Sequence, residues 1–158
     1  MTNIADKEQF VLQQAITLLK SANPETLASW GKMNLTQTVE HLSDFFDVSS
    51  GKSTFPLVTP EDQLPKYKAF LLSDIPFKEN TKAPASVVNE TPAPVRSASH
   101  DEALQHLQQS IQLFEQYFRQ APDATTVHPV FGPLNYQEWI QLHTKHLHHH
   151  LKQFGLVD

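Results

Sequence analysis

Apolar residues recur every three or four positions in four stretches of the chain, the spacing of a helix that buries one face. In residues 4–20, Ile4, Val11, Ala15, Leu18 and Leu19 make one stripe opposite Gln and Lys, and the pattern stops before Asn23-Pro24. The second stretch opens at Asn34, with Gln37 three positions on in capping-box spacing. It carries Leu35, Val39, Leu42, Phe45 and Phe46 and ends at Ser49-Ser50-Gly51. Ser99 and Glu102 repeat the capping spacing ahead of Leu104, Leu107, Ile111, Phe114 and Phe118, which predicts a third helix to about Gln120. The fourth follows Gly132-Pro133, is capped by Asn135 with Glu138, and runs through Trp139 to Phe154 until Gly155 stops it.

Between the second and third helices, residues 51–98 hold most of the eleven prolines. That stretch is too long for a simple loop. Leu64, Tyr67, Phe70 and Leu71 fall at helical spacing within residues 61–73, so a short helix with Pro65 in its first turn is predicted there. From Asp74 to Ser97 the Pro, Thr and Ser content predicts extended, irregular chain laid over the rest. The expected architecture is one all-α domain over residues 1–158, a four-helix bundle with a long irregular crossover between helices 2 and 3.

Charge and composition narrow the function. A formal charge of -5 and scattered Lys and Arg leave no positive patch for a phosphate backbone, so nucleic acid is not expected as a partner. With no cysteine there is no disulfide framework, no thiolate metal site and no cysteine nucleophile. No apolar run approaches the roughly 18 residues of a membrane span, and the first residues lack a basic-then-apolar leader. The expectation is a soluble cytoplasmic protein with no membrane contact.

Histidine is the unusual residue: five of nine lie between His143 and His150. Advancing about 100° per residue puts His143, His146 and His150 on the same stripe as Trp139, Leu147 and Phe154, while His148 points to the opposite side and His149 lies on the flank. His146 and His150, four apart, stack one turn above each other, so two imidazoles reach one metal ion. A third ligand has to come from another helix. His41, at the margin of the second stripe, is the only other histidine in a predicted helix with an inward option, since His100 and His106 read as solvent-side. On spacing alone the alternatives remain a metal site and hydrogen-bonded core histidines. Three imidazoles on one buried stripe are costly without partners, a cost that a shared cation resolves.

The segment SWGKMNLTQTVEHL from Ser29 to Leu42, the loop HPVFGPL from His128 to Leu134 and the tail EWIQLHTKHLHHHLKQFGL from Glu138 to Leu156 resemble the DinB-like superfamily, in particular its uncharacterised branch with WGKM and HP-x-FGPL motifs. The resemblance covers almost the whole chain, the crossover least. It implies an up-down-down-up four-helix bundle and a metal held by one histidine of helix two and an H-x-x-x-H pair of helix four. The matching positions are His41, His146 and His150, with Gln153 at the glutamine that often follows the pair. His143 is then a neighbouring donor or a substrate contact.

Three imidazoles leave an open coordination position, as in catalytic rather than closed structural sites. Zinc is the first choice of divalent ion, with nickel or iron as alternatives because imidazole suits them too. Characterised DinB-like relatives include metal-dependent thiol S-transferases and a thiol-dependent isomerase. The resemblance therefore implies thiol transfer or hydrolysis on a small molecule, with a low-molecular-weight thiol as partner, and a homodimer because related bundles often pair. The rivals are a non-catalytic metal- or ligand-binding bundle and a metal-free bundle with a pH-responsive histidine seam. No general base is assigned: Glu40 and Asp44 read as solvated or capping charges. Trp30, Trp139, Tyr136 and Phe131 read as core packing before pocket walls, and HPVFGPL as a stiff lead-in to helix four with His128 bonded to backbone.

Overall fold

The computed structural model describes residues 3–79 and 91–158. Among them are five helices and one two-stranded ribbon. Helix α1 covers residues 4–21, α2 Leu35–Ser49, α3 Leu64–Leu72, α4 His100–Gln120 and α5 Tyr136–Gln153, with β1 at Thr126–His128 and β2 at Gly132–Leu134. The expectation of purely helical structure thus misses the ribbon. No helix of the described residues is long and apolar enough to cross a membrane.

The cap residues read from sequence start the helices. The Asn34 side chain accepts from the Gln37 amide and the Gln37 side chain accepts in turn from the Asn34 amide, while Asn135 and Glu138 do the same for α5. Ser99 accepts from the Glu102 amide at the start of α4. In α1 the spacing misleads. A π-helical turn, Phe10–Gln14, sends the Ala15 amide to the Phe10 carbonyl, so the buried stripe passes from Phe10-Val11 to Ala15-Ile16 in five steps. Ile4, placed on the stripe by a regular wheel, is 41% exposed.

The main apolar contact lies between α2 and α4. Leu35, Val39, Leu42 and Phe46 meet Leu104, Leu107, Ile111, Phe114 and Phe118, all buried, with Phe46 and Phe114 edge to face at 5.8 Å. Full burial of each such side chain contributes about 1.5–3 kcal/mol. Helix α1 packs on both α4 and α5.

The crossover contains the predicted short helix: a 3-10 turn, Glu61–Gln63, leads into α3, whose first turn holds Pro65. Of the predicted irregular stretch 74–97, the described parts carry no helix or strand, and residues 80–90 lie outside the described residues. Its return is tied down at Glu40. This carboxylate, 7% exposed, accepts from the Arg96 and Ser97 amides and from the Ser97 hydroxyl at 2.7 Å. Burial alone would push its carboxyl up, but these donors hold it below the ordinary value. Glu40 is therefore neither solvated nor a helix cap, as its place in the sequence suggested, but an anchor. Asp44, exposed, pairs with Arg96 at 3.0 Å.

The HPVFGPL segment folds as an antiparallel hairpin in which His128 pairs with Gly132 across a three-residue loop. Gly132 takes φ 80, the left-handed position such a hairpin requires, and a Cβ there would lie 3.2 Å from the Leu64 side chain of α3. The Thr126 hydroxyl donates to the Ser49 carbonyl and accepts from Trp139 Nε1, so the ribbon is stitched to the end of α2 and the start of α5.

Candidate metal centre

Helices α2 and α5 bring His41, His146 and His150 together. His146 Nε2 lies 3.0 Å from His41 Nε2 and 3.1 Å from His150 Nε2, and one ligand atom from each residue falls within 4.8 Å of the others. The three rings stand edge to face at 4.7–4.9 Å between centroids. Zn–N bonds of 2.0–2.1 Å in tetrahedral geometry separate ligand nitrogens by roughly 3.3 Å, so the spacing suits a small divalent ion.

Neighbouring groups decide which nitrogen of His150 is free. Gln153 Nε2 donates to the Trp30 carbonyl at 3.1 Å, which turns the amide oxygen toward His150 Nδ1, 2.6 Å away. Nδ1 therefore carries the proton and donates, leaving a lone pair on Nε2 at the centre of the group. Such a partner on the far ring nitrogen is the usual support of a ligating histidine. The WGKM segment makes room for it. A Cβ on Gly31, at φ 84, would lie 2.7 Å from Gln153 Nε2, and the Ser29 amide donates to the Gln153 carbonyl at 2.7 Å.

Electrostatics keeps the three rings neutral. Burial pushes His41 down to about 4 and His150 to about 3 from an ordinary value near 6.5, with smaller contributions from His149 and His41 respectively. Burial and the adjacent His150 and His41 hold His146 well below that value. Neutral imidazoles are the form that binds a cation. Each N–H among three converging nitrogens serves one neighbour, whereas a cation takes all three lone pairs. The residues present thus fit a divalent metal.

The other histidines separate clearly. His143 stacks on Phe46 at 3.9 Å and on Trp139 at 5.4 Å, and its Nε2 meets Ser49 Oγ at 3.0 Å. Since Ser49 donates to the Phe46 carbonyl, its oxygen offers the imidazole only lone pairs, and His143 Nε2 carries the N–H. His143 is a packed, hydrogen-bonded residue outside the triad. His148 stays outside the group. His106 is exposed, as expected, but His100 is not wholly solvent-side: its Nδ1 meets the Thr36 hydroxyl at 2.7 Å.

The triad lines a cleft of about 1360 Å³ that runs between α2, α3, α5 and the ribbon. Its walls include Trp30, Phe45, Tyr67, Phe70, Phe77 and Phe131. Trp139 and Phe131 serve as both core and wall, whereas Tyr136 faces away and donates to Glu8. Sequence reasoning missed several cleft residues, among them His149 and Phe45. His149, on the flank of the wheel, is wedged edge to face between Trp30 and Phe77, and Phe45 lies against both His41 and His146. The aromatic residues clustered in the crossover were the available signal for a wall.

Comparison with curated proteins and with solved structures finds no match. The model of one family, described as the DinB superfamily, matches residues 9–154, a span that includes WGKM, the HPVFGPL hairpin and all three converging histidines, and the chain belongs to that superfamily.

Proposed function

We propose that the chain is a divalent-metal protein of up-down-down-up four-helix-bundle type that holds zinc, or nickel or iron in its place, on Nε2 of His41, His146 and His150. It acts there on a small molecule, by transfer involving a low-molecular-weight thiol or by hydrolysis. The observation that carries the reading is the convergence of three neutral imidazole nitrogens, one with its tautomer set by Gln153. Membership in a superfamily that typically binds divalent metal supports it.

A bound divalent ion would supply Lewis acidity to a thiol, water or carbonyl group. The chain's own residues would do the rest. Gln153 and the Trp30 carbonyl orient His150, Phe45 packs against His41 and His146, and the aromatic walls exclude water from the apolar part of a substrate. Three protein nitrogens beside an open cleft favour turnover over a closed structural site, which takes four protein ligands.

The test is elemental analysis of protein purified without an affinity tag, as wild type and as His41→Ala, His146→Ala, His150→Ala and His148→Ala. About one metal per chain in wild type and His148→Ala, and almost none in the other three, is expected. Equal metal content in all five removes the site.

A further inference from the structure

The hairpin histidine is not used by the metal reading, yet hydrogen bonds and ring contacts fix its geometry. His128 is 6% exposed, and its Nδ1 accepts from the Val130 amide at 2.9 Å and the Phe131 amide at 3.2 Å. A nitrogen that accepts two N–H groups has no proton of its own, so in the neutral ring the proton sits on Nε2. The polar side-chain atoms that are both sealed and unpartnered among the described residues belong to Trp30, Ser43, Asp47 and His100. His128 Nε2 is not among these sealed atoms and meets no protein acceptor among the described residues, and the residue lines the cleft. The ring is held from three sides, by Phe45 at 5.9 Å, Phe131 at 5.0 Å and Trp139 at 5.7 Å. The Phe45 ring links it to the triad, since Phe45 also touches His41 and His146.

A fixed N–H beside the Phe45, Phe131 and Trp139 rings offers a ligand a donor: it takes an acceptor oxygen, and it disfavours a molecule that brings none. We propose that His128 is a specificity-determining residue whose Nε2–H binds the carbonyl or carboxyl oxygen of a small aromatic substrate laid across Phe45. The substrate class deepens the function proposed above and rests on it for the chemistry, but the donor itself is independent of metal. The hairpin is what makes the donor reliable. Two loop amides define the tautomer, and Gly132 and the Thr126 stitching hold the loop.

The test uses the full chain, zinc-loaded and zinc-free, with the imidazole nitrogens followed by 15N NMR at neutral pH. Wild type should show a bare Nδ1 and a protonated Nε2 at His128. Benzamide, an aromatic amide, should shift the Nε2–H signal and bind about tenfold more tightly than acetamide, which lacks the ring. Toluene, which lacks the oxygen, should leave the signal in place. In His128→Phe the affinity for benzamide should fall roughly 3- to 10-fold, the worth of one hydrogen bond, with zinc content unchanged. A proton on Nδ1, a signal unmoved by benzamide, or equal benzamide affinity in His128→Phe overturns the proposal. The wild-type spectra decide it even where the variant loosens the hairpin. Loss of zinc binding with the benzamide response intact would instead overturn the metal reading alone.

Discussion

Two sets of histidine on one face of α5 lie one turn apart and differ in what surrounds them. His143 sits among Phe46, Phe114 and Trp139, and its one N–H finds a serine oxygen. His146 and His150 sit on the same face, His150 buried and His146 partly so, but their inward nitrogens meet only each other and His41. Both sets are neutral because burial disfavours charge. Burial and helical spacing therefore do not mark a ligand. The distinction lies in the identity of the atom facing each nitrogen, a satisfied hydroxyl in one case and other lone pairs in the other.

The sharpest break of that comparison is at the centre. His146→Ala should abolish metal binding, and with it the response of wild type to a chelator. An ion present at 100 times its Kd contributes about 2.7 kcal/mol. Chelation should accordingly lower the melting temperature of zinc-loaded wild type by roughly 5–10 °C in calorimetry and leave His146→Ala unmoved.

His143→Ala should do the reverse. It keeps the metal but costs about 2–4 kcal/mol in urea unfolding, because a ring is deleted from a stack of three others.

Gln153→Ala frees His150 to choose the other tautomer and should weaken zinc affinity roughly 10- to 100-fold in competition with a chromophoric chelator. Gly31→Ala should act in the same direction by displacing the Gln153 amide.

The pH dependence sharpens the contrast further. Burial holds folded His143 at about 3, below its unfolded value near 6.5. Between these values the unfolded chain binds the extra proton, so stability is complete above about 6.5 and falls as the pH drops toward 3. In the metal-free protein His143→Phe should make the fall shallower by about 1.4 kcal/mol per pH unit inside that window, measured by urea unfolding. The smallest effect is expected from His148→Ala: unchanged metal content and a stability change within about 0.5 kcal/mol.

Much of this was legible along the chain. Apolar spacing and capping pairs located α2, α4 and α5 nearly to the residue, since a cap bond and a buried stripe are local consequences of local sequence. The stacked pair His146/His150, and a His148 that stays outside the triad, followed from the same wheel. The π-turn in α1 was invisible because a single extra residue per turn leaves no periodic trace, and it moved Ile4 to the surface. The hairpin at Thr126–Leu134 was hidden because its strands are three residues long, too short for an alternating pattern to show.

What the chain alone determined was which side of each helix is apolar and which histidines share it, because those properties repeat within a few residues. What the tertiary structure decided was every relation between distant segments: His41 meeting His146, Gly31 yielding to Gln153, Glu40 capturing the returning crossover, and His128 packing against Phe45 and Trp139. These depend on which atoms face one another across more than a hundred residues in the first two cases, and no local spacing carries that information.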